Sequence, residues 1–106
     1  MSTPYQRGAA FEHRVKADLE REEWLVVRSP ASKSPFDLLA VKLDSRLIHV
    51  VALVQCKLGG KITRAEEAEL TDVCSAFGCC PILAYTLKLR GEVHYRDLYS
   101  GESWVP

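Results

Sequence analysis

Arg28-Ser-Pro-Ala-Ser-Lys-Ser-Pro-Phe-Asp37 leads into an apolar segment, and the chain returns through Leu47-Ile-His-Val-Val-Ala-Leu-Val54 to Gln55-Cys-Lys57. If Phe36 to Leu43 and Leu47 to Gln55 pair as an antiparallel hairpin about Asp44-Ser45, Asp37 falls opposite residue 52 or 53, about two positions short of Gln55. A carboxylate and a carboxamide oxygen would then reach one cation. Side chains alternate along a strand, so Gln55 and Lys57 share one face and Cys56 takes the other. Lys57 is thereby aimed into the space where Asp37 and Gln55 converge. Groups able to hold a divalent ion and a phosphate close both ends of an apolar hairpin, and that placement points to chemistry.

Outward from the hairpin, Trp24-Leu-Val-Val-Arg28 is short, β-branched and aromatic and reads as a first strand, stopped by Ser29-Pro30. The loop from Ser29 to Pro35, with three serines, a lysine and two prolines, suits a surface connection in which Ser32 and Lys33 touch a nucleic-acid backbone. Before it, Tyr5 to about Glu22 predicts a helix on the recurrence of Phe11, Val15 and Leu19, with Pro4 at its start. Glu12 and Asp18 lie near opposite edges of its apolar stripe, and periodicity alone does not choose between them.

After the hairpin, Gly59-Gly60 breaks the chain and Thr63-Arg-Ala-Glu66 matches a capping box opening a second helix through Phe77. Leu70, Val73, Cys74 and Phe77 form its apolar stripe, and Gly78 supplies its stop. Pro81 to Thr86 reads as a buried strand, Leu87 to Gly91 as a turn, and Val93 to Arg96 as a shorter strand. The near-continuous apolar run before Gln55 fits a strand covered on both faces, with His49 a core or sheet-surface residue. The order α-β-β-β-α-β-β implies an α/β fold, a mixed sheet of about five strands with helices on its faces.

A chain of 106 residues is the size of one compact domain, so residues 1 to 106 are read as a single unit. No apolar stretch approaches the roughly 20 residues of a membrane span, and the N-terminus lacks a secretory pattern, which places the protein in the cytoplasm, the host's if the chain is of phage origin. Four cysteines, at 56, 74, 79 and 80, lack zinc-finger spacing and read as reduced, small apolar residues. Net charge is zero, yet residues 28 to 64 carry seven Lys or Arg against two Asp. Basic charge is thus concentrated around the candidate site, as an approaching phosphate backbone requires. Ser34 in the loop, Arg7 on the first helix, and Arg28, Lys61 and Arg64 extend the expected DNA-binding set begun by Ser32 and Lys33.

These blocks together resemble the PD-(D/E)XK nuclease superfamily and, within it, the archaeal-type Holliday junction resolvases that also occur in phages. Three matches carry the resemblance: Arg7-Gly-Ala-Ala-Phe-Glu12, Val26-Val-Arg-Ser-Pro-Ala-Ser-Lys-Ser34 leading to Phe36-Asp37-Leu-Leu-Ala-Val41, and Gln55-Cys-Lys57. The resemblance implies a restriction-endonuclease-like sheet and roles residue by residue. Asp37 matches the central metal-ligand aspartate, Gln55 the acidic ligand of the E-x-K element, and Lys57 the catalytic lysine. The Cys56 carbonyl would be a further ligand, Glu12 the supporting helix glutamate, preferred here over Asp18, and Ser32 the catalytic loop serine near the scissile strand.

Two departures stand out. Proline lies two places before Asp37 rather than adjacent to it, and glutamine replaces the usual glutamate at 55. An amide oxygen coordinates Mg²⁺ without bringing charge, so ion binding should rest on Asp37 and Glu12. The implied function is a Mg²⁺-dependent endodeoxyribonuclease of DNA recombination and repair, with Mn²⁺ as a substitute. It would nick four-way junctions as a homodimer, without a nucleotide cofactor. A Val-Gln-Cys-Lys string is also similar to the Mrr-like branch, which would make the substrate duplex DNA, and loss of charge at Gln55 allows a decayed, DNA-binding protein. Cleavage tests on junction and duplex separate these readings.

Overall fold

The computed structural model describes residues 3–29, 34–44, 47–88 and 90–106. The expectations placed on Ser32, Lys33 and the side chain of His49 lie outside the described residues. Helix α1 runs Pro4–Arg21, β1 Trp24–Arg28, β2 Leu38–Asp44, β3 Leu47–Leu58, α2 Arg64–Phe77, β4 Cys80–Thr86 and β5 His94–Asp97. This is the expected α-β-β-β-α-β-β order. Thr3 caps α1 through a reciprocal pair with Gln6, and Pro4 occupies a first-turn position where no amide hydrogen is required. A second reciprocal cap, Thr63 with Glu66, starts α2, and Gly78 ends it at φ 70°, in the left-handed region that favours glycine.

The five strands lie in spatial order β1-β2-β3-β4-β5. The first three form an antiparallel meander, β4 runs parallel to β3 after the α2 crossover, and β5 returns antiparallel to β4. Alternation along the strands sorts the core into two layers. Phe11, Val15 and Leu19 of α1 pack against Trp24, Val26, Leu38, Ala40, Ala52, Val54, Ile82 and Ala84 on one face. On the other face, Leu53 is buried with Leu70 and Cys74 of α2. Phe77, expected in that stripe, is 79% exposed, because α2 packs on β4 with its middle turns and its last residue overhangs.

The tail after β5 closes the α1 face. Trp104 packs on Trp24 and Tyr95 with ring centroids 5.3 and 5.7 Å away, and the Trp24 indole N–H donates to the Pro106 carbonyl at 3.0 Å. Tyr99 instead reaches α2, its hydroxyl 2.9 Å from that of Ser75. Cys56, Cys74, Cys79 and Cys80 are all free thiols. Among the described residues no helix is long and apolar enough to cross a membrane.

Hairpin register corrects one sequence expectation. Leu38 pairs with Val54, and the Asp37 N–H donates to the Val54 carbonyl, so Asp37 stands at Val54, next to Gln55, rather than opposite residue 52 or 53. A register shift between Lys42 and Leu43 near the hairpin tip accounts for part of the offset. β3 also continues to Leu58, three residues past the expected end, because β4 supports it on the far side through Leu58 paired with Thr86. Gly59 and Gly60, at φ 84° and 74°, then stop it, and a Cβ on Gly60 would meet the Tyr85 ring at 3.0 Å.

Candidate active site

β2 and β3 part company at Asp37. On the β2 side, β3 is paired only as far as Val54, whereas on the β4 side it is paired through Leu58. A strand edge left in this way presents unpaired backbone groups. Asp37 takes up the ladder with its side chain: its own N–H donates to the Val54 carbonyl at 2.8 Å, and its Oδ2 accepts from the Cys56 N–H at 2.7 Å. The N–H and C=O of one strand residue point to the same edge. The Cys56 carbonyl therefore faces the side where Asp37 stands. Asp37 is fixed further by its carbonyl, which accepts from the Ser29 N–H at 2.8 Å.

The charged groups arrive from three elements. Glu12 of α1 accepts from Arg28 of β1, Nη2 to Oε1 at 3.2 Å, on the face that also carries the half-buried Cys56 side chain. Lys57 lies on the opposite face with Gln55, and its ammonium bonds to Oε2 of Glu66 in the first turn of α2. Asp37 feels both sides. Burial pushes its carboxyl above the usual carboxylate range; the Cys56 N–H and Lys57 pull it back, and Glu12 and Glu66 push it up. Glu66 is held below the usual range, chiefly by its bond to Lys57. Burial, with Asp37 and Glu12 nearby, pushes the Cys56 thiol well above its ordinary value, so it stays protonated.

Of the sequence-predicted set, Asp37, the Cys56 backbone and Lys57 come together at the strand fork, Gln55 lies beside Cys56 on the strand face that carries Lys57, and Glu12 stands close enough to act on Asp37. Its carboxylate is nevertheless engaged by Arg28. Asp18, the other helix acid, is elsewhere: it pairs with Arg21 at 2.7 Å and accepts from the Tyr95 hydroxyl at 2.6 Å. Among the expected DNA contacts, Lys61 and Arg64 are exposed near the start of α2, and Arg7 and Ser34 are half-buried. Ser34 Oγ accepts from the Phe36 N–H at 3.4 Å. The Arg28 Nε is buried with no hydrogen-bond partner among the described residues. Sequence reasoning passed over Glu66, which it read only as a helix cap; the signal was a second carboxylate oxygen left over after capping.

Among the described residues no three His, Cys, Asp or Glu side chains cluster tightly enough to hold an ion by themselves. Any cation here must draw on neutral oxygens as well. The donors fit that requirement: the Asp37 carboxylate, the Gln55 amide oxygen and the Cys56 carbonyl are hard oxygen ligands of the kind Mg²⁺ takes, with water completing the shell. A cation would also offset the burial that, with Glu12 and Glu66 nearby, keeps Asp37 above its ordinary range.

No protein-family model matches the chain. The crossover junction endodeoxyribonuclease Hjc of Methanocaldococcus jannaschii is 33% identical to it over 97 residues, spanning 88% of this chain and 67% of the relative. Hjc of Archaeoglobus fulgidus, a Holliday junction resolvase, has the same fold at a TM-score of 0.69, with 16% identity over 88% of this chain and 74% of that structure. Sequence identity over two thirds of the relative, joined to the shared five-stranded sheet, makes the chain a member of the archaeal-type Holliday junction resolvase family of the PD-(D/E)XK nuclease superfamily.

Proposed function

We propose that this chain is a Holliday junction resolvase, a Mg²⁺-dependent endodeoxyribonuclease making paired nicks in four-way DNA junctions. Family membership carries the activity, and the fork at Asp37 is the observation that carries the site. In this reading Asp37, Gln55 and the Cys56 carbonyl hold the metal, with Glu12 in support. A divalent ion held there would lower the pKa of a bound water, neutralise charge on the phosphorus and stabilise the leaving oxygen. Lys57 meets the scissile phosphate, and Glu12 keeps Arg28 oriented beside the site. Lys61 and Arg64, exposed at the start of α2, with Arg7, Arg28, Ser32, Lys33 and Ser34, hold the sugar-phosphate backbone; recognition is then of shape rather than base sequence.

Two symmetry-related nicks require two sites, and one copy of the chain offers one, so the working unit is a homodimer. The face of β1 and β2 away from α1 supports this, since it leaves Leu25, Val27 and Leu43 exposed. The test is incubation with a synthetic four-way junction, a matched linear duplex and Mg²⁺ or Mn²⁺. Symmetric nicks confined to the junction and lost in Asp37→Ala support the proposal. Equal cutting of duplex, or binding with no cleavage in either metal, overturns it.

A further inference from the structure

Gln55 leaves the fork one negative charge short, and the arrangement of neighbours shows where that charge is recovered. Glu12 is paired with Arg28, and Asp37 stands over the Cys56 N–H. Lys57 would cancel Asp37 and leave Glu12, Arg28, Asp37, Gln55 and Lys57 neutral as a group, with no net attraction for a divalent cation. Glu66 changes the count to −1. Its two oxygens are divided between tasks: Oε1 accepts from the Thr63 N–H at 3.1 Å and closes the α2 cap, while Oε2 takes the Lys57 ammonium. The side chains of Lys57 and Glu66 are only 27% and 34% exposed, and Glu66 acts on Asp37 electrostatically, so its charge is felt at the fork and not lost to solvent.

We infer that Glu66 is a positioning residue of the site, holding the Lys57 ammonium against α2 and restoring from the helix the negative charge that glutamine at 55 withholds. The inference rests on the nuclease reading above. It explains how a site with a neutral residue in the ligand position keeps its attraction for a cation: the acid has a different backbone origin but the same electrostatic reach. Because the capping box accepts Gln as well as Glu at this position, the charge is separable from the cap.

The experiment titrates Mn²⁺ alone into the full chain, read by electron paramagnetic resonance, with a thermal melt of each variant and a junction-cleavage assay of the wild type. Glu66→Gln should stay folded, melting slightly below the wild type because its charged pair with Lys57 is lost, and bind Mn²⁺ about tenfold more weakly. Adding Gln55→Glu to Glu66→Gln should bring the affinity back, which repair of a merely structural defect would not do. Lys57→Gln reads the same charge count from the other side and should tighten Mn²⁺ binding, whether or not Glu66→Gln folds. Mn²⁺ affinity unchanged in Glu66→Gln, no recovery in the double variant, or no tightening in Lys57→Gln overturns the inference while the nuclease reading stands. A wild type with no Asp37-dependent Mn²⁺ site and no junction cleavage overturns both.

Discussion

Beneath α1, the sheet residues Trp24, Val26, Leu38, Ala40, Ala52 and Val54 are all buried, whereas across the same strands Leu25, Val27 and Leu43 are more than half exposed. The two faces differ because of what covers them. A helix is about 10 Å wide and strands lie about 4.8 Å apart, so one helix shields roughly two strands. The α1 face adds the folded-back tail with Trp104, which extends its cover. On the opposite face α2 packs on β4, and with only Leu39 of β2 reaching its cluster, Leu25 and Val27 of β1 and Leu43 of β2 stay exposed, while the first turn of α2 stands beside Lys57. One face is spent on stability; the other is left for a site and, in our proposal, for a second copy of the chain.

The largest effect expected from disturbing this division is on chemistry. Asp37→Ala should lower junction cleavage about a thousandfold, the several kcal/mol of charge stabilisation a metal site supplies. It should cost only about 1–2 kcal/mol of stability, from the Cys56 N–H left without its acceptor. Gel assays paired with urea unfolding check both halves; comparable losses of folding and activity would make Asp37 a structural residue.

Next in size is the packed face itself. Leu19 is fully buried, and Leu19→Ala should destabilise the chain by about 2–5 kcal/mol through lost transfer energy and a residual cavity. Leu25→Ala, on the bare face, should shift monomer stability by no more than about 0.5 kcal/mol. Urea midpoints that failed to separate the two substitutions would erase the contrast between the faces.

A smaller effect follows from pH. The folded-state pKa of Asp37 lies above its ordinary value of 3.8, so the native chain binds more protons than the unfolded chain between the two values. The stabilising contribution of that acid is full below 3.8 and is lost as pH rises through the raised value. Asp37→Asn cannot ionise and should gain on the wild type across that window as pH rises. Glu66, shifted the opposite way, contributes at higher pH and loses its contribution as pH falls through its lowered value. Since Glu66 is present in both chains, the difference between their unfolding curves isolates Asp37, and curves that stay parallel as pH rises above 3.8 would contradict the burial assigned to it.

The smallest change in the monomer should come from Leu25→Glu, which puts a charge on an already solvated position. Its effect should appear in association instead. Sedimentation should show weakened dimers, and junction nicks should come singly. An unchanged dimer would move the interface elsewhere on the molecule.

Local signals carried most of the fold. Apolar residues at helical spacing marked α1, β-branched and aromatic residues marked β1 with its observed ends, and the Thr63 to Glu66 cap and Gly78 bracketed α2, because each depends on neighbours within a few positions. Asp37, Gln55 and Lys57 were legible as candidates on the same ground, since hard oxygen donors and a cation at strand ends are residue types rather than contacts. Tertiary structure alone decided the rest. The position of Asp37 along β3 depended in part on a register shift near the hairpin tip, the extra length of β3 on a parallel partner some thirty residues away (Cys56 with Ala84), and the separation of Glu12 from Asp18 on which of them met Arg28. The second role of Glu66 belongs with these. A carboxylate that caps its own helix looks complete along the chain, and only the crossover from β3 to β4 brings Lys57 to its remaining oxygen.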